Sequence, residues 1–163
     1  MSEVWKPSVT VAAVIERDGR FLMVEEHSAG GLRINQPAGH LEPGESLIAA
    51  AVREALEESA HVFSPTALVG TYLSRNVSSS RGGMSVTYLR FAFAGTVGEQ
   101  LQRPLDDGIV RTLWMTREEL AASAARHRSP LVLRCVDDYL RGQRAPLELV
   151  HTDPSAVGDL PDH

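Results

Sequence analysis

The 163-residue sequence predicts an α/β domain in which helices cover both faces of a mixed sheet. Two observations carry this. Short β-branched runs and helical patterns alternate irregularly along the chain, and no internal repeat is present, which excludes solenoids and propellers.

The elements follow in order. Val9 to Glu16 and Arg20 to Glu25 are apolar, β-branched runs split by Asp18-Gly19, the signature of a hairpin. Ser28 to Gly31 reads as a loop. Arg33 to Leu41 reads as one short extended stretch, made irregular by Pro37. From Ser46, a suitable N-cap, Ile48, Ala51, Val52, Ala55 and Leu56 fall on one helical face, predicting a helix to about Ser59. Beyond Pro65, Ala67 to Leu73 and Ser85 to Gly95 are expected strands, separated by the polar segment Ser74 to Gly83, a candidate substrate loop. Ile109 to Met115 is a further strand, and Thr116-Arg117-Glu118-Glu119 is a capping box opening a helix. A last helix is expected from Ser129-Pro130 to about Arg141, closed by Gly142. Residues 1–151 are thus expected to form one domain, and 152–163, with Pro154, Gly158 and Pro161, a flexible tail.

Composition narrows the function. Hydrophobic residues make up 43% and charged residues 23%, which places the chain among globular domains rather than disordered ones. The net charge of -5 argues against nonspecific nucleic-acid binding, and no apolar run is long enough to span a bilayer. A cytoplasmic protein, monomeric or homodimeric, is the expectation. The one cysteine, Cys135, allows neither an internal disulfide nor a thiolate metal cluster, so any metal must be held by oxygen or imidazole. It reads most simply as a packed thiol.

The chemistry is concentrated in residues 37 to 61. Glu54, Glu57 and Glu58 stand at i, i+3 and i+4, within an arc of about 100° on one helix face. Like charges at these spacings cost about 0.2–0.5 kcal/mol per pair, and a hard divalent cation such as Mg²⁺ would remove the repulsion. A solvated acidic face is the plain alternative. Immediately upstream, Pro37-Ala38-Gly39-His40-Leu41-Glu42-Pro43-Gly44-Glu45 is a turn whose glycines permit a main-chain carbonyl to approach a metal. Glu45, at the helix start, is placed to pair with Arg53.

Taken together, Gly39, five residues, Glu45, seven residues and then Arg53-Glu54-Ala55-Leu56-Glu57-Glu58 resemble the Nudix box, the signature of the Nudix hydrolases. Val9-Thr10-Val11-Ala12, Asn35-Gln36-Pro37, Arg128-Ser129-Pro130-Leu131-Val132 and Gly142-Gln143-Arg144 extend the likeness, to a phosphatase branch of that superfamily, over most of residues 7 to 150.

The resemblance implies an α/β/α sandwich and Mg²⁺-dependent hydrolysis, with Mn²⁺ as a substitute, of a nucleoside di- or triphosphate or a similar diphosphate such as hydroxymethylpyrimidine diphosphate. It assigns metal binding to Glu54, Glu57 and Glu58 with the carbonyl of Ala38 or Gly39, and orientation of that set to Arg53 and Glu45. The general base is either a box glutamate or a later-loop acid, for which Asp106 and Asp107 are the candidates, although Asp-Asp-Gly also suits a plain turn. Arg33, Asn35, Gln36 and His40 are candidate substrate contacts, with a solvated Arg33 and a structural His40 as the alternatives. A catalytically silent nucleotide-binding domain is the competing reading.

Two box positions depart from the family pattern. Ala60 replaces a helix-ending glycine and His61 an aliphatic residue. Either Ala60 takes the glycine's left-handed conformation and ends the helix, or the helix continues through it, and continuation is the expectation. Ile34 likewise stands where a relative would carry an aromatic ring.

Overall fold

The structure, a computed structural model, describes residues 2–77 and 83–159. Seven strands form one mixed sheet: β1 Ser8–Arg17, β2 Arg20–Ser28, β3 Gly31–Asn35, β4 Ala38–His40, β5 Phe63–Val77, β6 Ser85–Val97 and β7 Ile109–Thr116. The main path runs β3-β2-β1-β6-β5, with β4 added beside β1 and β7 beside β2. β1 lies parallel to β6 from Ser8 to Ile15, while the other pairings are antiparallel. Helix α1, Leu47–Ser59, covers one face; α2, Arg117–Ala122, and α3, Leu131–Leu140, cover the other. The expected α/β/α sandwich is the observed fold.

The layering follows from the period-two alternation of β1, which is buried on both sides. Val11, Ala13 and Ile15 pack towards α1 with Ala51, Ala55 and Phe93, whereas Ala12 and Val14 pack towards α3 with Val132, Cys135 and Val136. The hairpin turn places both Asp18 and Gly19 at positive φ, 52° and 77°, as a tight two-residue connection requires.

Three expectations need revision. The stretch from Arg33 to Leu41 is two strands rather than one, because Gln36-Pro37 carries the chain from pairing with β2 to pairing with β1. Pro37 has no N–H to donate, and its carbonyl accepts from the Ala13 amide at 2.9 Å. β5 begins at Phe63, ahead of Pro65; it occupies a sheet edge, and a register shift at Pro65 accommodates the missing donor. Helix α1 does not continue through Ala60, whose φ of 58° and ψ of 30° are left-handed. The alanine thus does the glycine's work at the C-terminus, with its N–H donating to the Leu56 carbonyl. Pro154–Ala156 form a 3-10 turn, and the Gly158 amide donates to the Gly44 carbonyl at 3.1 Å.

Among the described residues, no helix is long and apolar enough to cross a membrane. Cys135 is fully buried on α3 as a free thiol.

Candidate active site

Ser46 caps α1 by accepting the Ala49 amide, and burial of Ala50, Ala51 and Ala55 against the sheet sets the rotation of the helix. That rotation turns Glu54, Glu57 and Glu58 towards β4. Glu58 is the deepest, 8% exposed, and accepts a hydrogen bond from the Ala38 amide at 2.8 Å. Glu54 lies directly over Gly39, where a Cβ would collide with its carboxylate. A side chain at residue 39 would therefore displace the Glu54 carboxylate from this position.

Arg53 is the hub. Its Nε and Nη2 donate to the two oxygens of Glu45 at 3.0 and 2.8 Å, and Nη2 also reaches the His40 carbonyl at 3.0 Å. Nη1 donates to Glu54 at 2.9 Å and to Glu57 at 3.2 Å. The pairing of Glu45 with Arg53 holds the Glu45 carboxyl below the usual range and the guanidinium firmly protonated.

The electrostatics separate the glutamates. Burial pushes the Glu58 carboxyl up to about 8, and the nearby charges of Glu26, Glu54 and Asp106 push in the same direction against the Ala38 amide. Burial also raises Glu54, only partly offset by Arg53. Asp106 joins this group because its amide donates to the Glu57 carbonyl at 2.9 Å, which ties its loop to α1. Asp106 and Asp107 are both exposed, and only Asp106 has this tie to α1.

Oxygen donors that repel one another in a partly desolvated site suit a hard divalent cation. As the side chains stand, though, no three acids among the described residues gather around one point, since Arg53 holds Glu54 and Glu57.

Beyond β4 the site opens into a cavity of about 240 Å³. Its floor is the sheet face carrying His40, Thr10 and Arg90, which are neighbours across β4, β1 and β6. Asn35 and His40, two of the expected substrate contacts, line it, and the His40 ring lies 6.2 Å from that of Tyr88. Ser74 and Asn76 of the expected substrate loop also line it, whereas residues 78–82 of that loop lie outside the described residues.

Arg33 and Gln36 are placed elsewhere. Arg33 folds back over Gly30 and donates to the Leu32 carbonyl. Gln36 is 1% exposed, donating to the Val132 carbonyl at 2.7 Å and accepting from Arg90 at 3.1 Å, so it braces the cavity from behind.

Glu26, Tyr88, Arg90 and Arg128 line the cavity and escaped the sequence reading. One signal was available. Arg90 interrupts the apolar run Leu89 to Ala94, and an arginine inside a buried strand needs a reason.

Comparisons with known proteins bear on the fold and the family. A sequence model of the NUDIX domain matches residues 5–135. The chain is 38% identical over 149 residues to phosphatase NudJ of Escherichia coli K12, an alignment spanning 90% of this chain and 92% of that one. Among solved structures, a NUDIX hydrolase from Nitrosomonas europaea superposes with a TM-score of 0.84 at 48% identity, covering 91% of this chain and 99% of that one. The NUDIX domain of Shewanella oneidensis NrtR, solved with ADP ribose, shares the fold at a TM-score of 0.66 and 15% identity, over 85% of this chain and 90% of that one.

Proposed function

The chain belongs to the Nudix hydrolase family, and from that premise we propose that it hydrolyses a phosphoanhydride in nucleoside di- or triphosphates, or in a similarly small diphosphate such as hydroxymethylpyrimidine diphosphate, with Mg²⁺ or Mn²⁺. The observation that carries this reading is the set of mutually repelling carboxylates against β4, a strand whose residues Ala38, Gly39 and His40 also line the cavity floored by Arg90.

Glu54, Glu57 and Glu58, with the carbonyl of Ala38 or Gly39, are the residues that would hold the cation. When bound, it neutralises diphosphate charge and acidifies a coordinated water. The remaining work belongs to the chain. The fork between Arg53 and Glu45 locks the loop of residues 42 to 45 to α1, so the carboxylates and the β4 carbonyls keep one spacing. Of the two later-loop candidates for taking a proton from the attacking water, Asp106 is favoured over Asp107 because its charge acts on Glu54 and Glu58 and its amide donates to the Glu57 carbonyl; a box glutamate is the alternative base. Asn35 and His40 face the organic end of the substrate.

Most of the binding energy on this reading comes from the diphosphate, which all substrates share, so activity on several nucleotides is expected. A phosphate-release screen over nucleotides and coenzyme-precursor diphosphates with Mg²⁺ tests it. Hydrolysis in ¹⁸O water should place the isotope in a phosphate product. A protein that binds these nucleotides with Mg²⁺ and releases neither phosphate nor pyrophosphate from any of them would instead be a binding module.

A further inference from the structure

Arg90 is a buried cation without a direct ion-pair partner among the described residues; the Glu26 carboxylate is near enough to feel its charge, but its contact runs through Asn35. Arg90 is 6% exposed, and among the described residues no acid lies within ion-pair distance of its guanidinium. Its partners are neutral: Nη2 donates to Asn35 at 2.8 Å, and Nη1 to Gln36 at 3.1 Å and to the Cys135 sulfur at 3.7 Å. Burying a charge is costly, and proteins ordinarily offset the cost with a counter-ion. Here the guanidinium is instead held in a fixed plane by amides and a thiol while it lines the cavity.

The neighbourhood narrows what such a group meets. Glu26, also on the cavity wall, stands 3.7 Å from Arg128, so a ligand carrying a second full negative charge would meet a carboxylate there. Tyr88 precedes Arg90 by two residues on β6 and so presents its ring from the same face of the strand. The cavity, about 240 Å³, has room for one flat ring.

We infer that Arg90 is a specificity-determining residue: its guanidinium, braced by Asn35 and Gln36, donates to a carbonyl oxygen or ring nitrogen of an uncharged heterocycle forming the non-phosphate end of the substrate. This deepens the hydrolase reading and rests on it for the word substrate, although not for binding. A charged donor offered to a neutral acceptor gains without the second desolvated charge that an ion pair would require. The contact is remote from the reacting phosphorus, so it acts on binding of the organic end rather than on the chemical step.

Two arms test it. In the first, kcat and KM of wild type and Arg90→Gln are compared on UDP and on methyl diphosphate, which shares the diphosphate and lacks the ring. The expected result is a KM for UDP raised about 10- to 100-fold, as loss of a charge-assisted hydrogen bond implies, with a loss on methyl diphosphate at least tenfold smaller. Equal losses on both would overturn the inference and make Arg90 a phosphate contact or a purely structural residue.

The second arm needs no turnover and so separates this inference from the hydrolase reading. Calorimetry on metal-free wild-type protein compares uridine with phenyl riboside, a ring of similar size without acceptors. Uridine should bind at least tenfold more tightly. Equal affinities, or no detectable binding of uridine at millimolar concentration, would overturn the inference even if Arg90→Gln fails to fold.

Discussion

Arg53 and Glu45, eight residues apart, meet through two parallel hydrogen bonds, Nε to Oε2 at 3.0 Å and Nη2 to Oε1 at 2.8 Å. This fork joins the loop before α1 to the middle of α1, while the remaining guanidinium nitrogen holds Glu54 and Glu57. One side chain thus sets the positions of three carboxylates.

Lysine keeps the charge of Arg53 and loses the fork. Arg53→Lys should therefore lower kcat/KM by about 10- to 100-fold, the usual effect of losing a group that orients metal ligands, and raise the Mg²⁺ concentration for half-maximal activity. Titration of activity against Mg²⁺ reads both. An unchanged Mg²⁺ response would show that the fork does not position the carboxylates.

Glu58→Gln should reduce turnover by orders of magnitude and leave the fold intact. The glutamine oxygen can still accept the Ala38 amide, while the buried charge and its repulsion with Glu26, Glu54 and Asp106 disappear. Melting in EDTA at pH 8 should accordingly show a midpoint at or above that of wild type. Near wild-type turnover at saturating Mg²⁺ would remove Glu58 from the metal-binding set.

Asp106→Asn should lower kcat by about 100-fold or more, the scale of general-base catalysis, whereas Asp107→Asn should change it little. Only Asp106 is tied to α1 through the Glu57 carbonyl. Single-turnover rates would settle the assignment, with full activity of Asp106→Asn transferring the base to a box glutamate.

Ala60→Gly should stabilise the protein. A left-handed alanine costs about 1 kcal/mol or more relative to glycine, and the buried methyl returns only part of it. The expected gain is below about 1 kcal/mol, or a rise of one to three degrees in Tm. A drop in Tm would mean that methyl packing outweighs the backbone term.

His61 introduces a pH dependence. The ring is buried, T-shaped against Trp114, with Nδ1 2.8 Å from the Ser59 carbonyl, and burial lowers its pKa below 6.5. The folded state then resists protonation while the unfolded chain accepts it. The sign follows: stability is fully present above about pH 6.5 and is lost as pH falls through the lowered folded value. His127, likewise lowered by burial, adds to the slope. Chemical unfolding of His61→Asn between pH 7 and 5 should give a shallower decline than wild type.

The sequence by itself determined the elements whose causes are local. The hairpin needs only Asp18-Gly19 between two β-branched runs, and α1 needs only Ser46 and an apolar stripe. The placing of Glu54, Glu57 and Glu58 on one helix face is likewise contained in the helical repeat, and the Arg53 pairing follows from its distance to Glu45 along the same segment. Tertiary structure decided what depends on partners remote in the chain. Pro37 splits its strand because the two halves meet different neighbours, β2 and β1. Ala60 turns left-handed in a buried end of α1 where its carbonyl accepts from Leu101, forty-one residues on, and that contact overrides its helical propensity. Gln36 turns inward because Val132 and Arg90 lie behind it, and Glu26, Tyr88, Arg90 and Arg128 become one cavity only when the strands and the start of α3 are brought together. Helical periodicity and turn chemistry act over a few residues and can be read from the chain, whereas burial and long-range hydrogen bonding depend on which surfaces the fold places in contact.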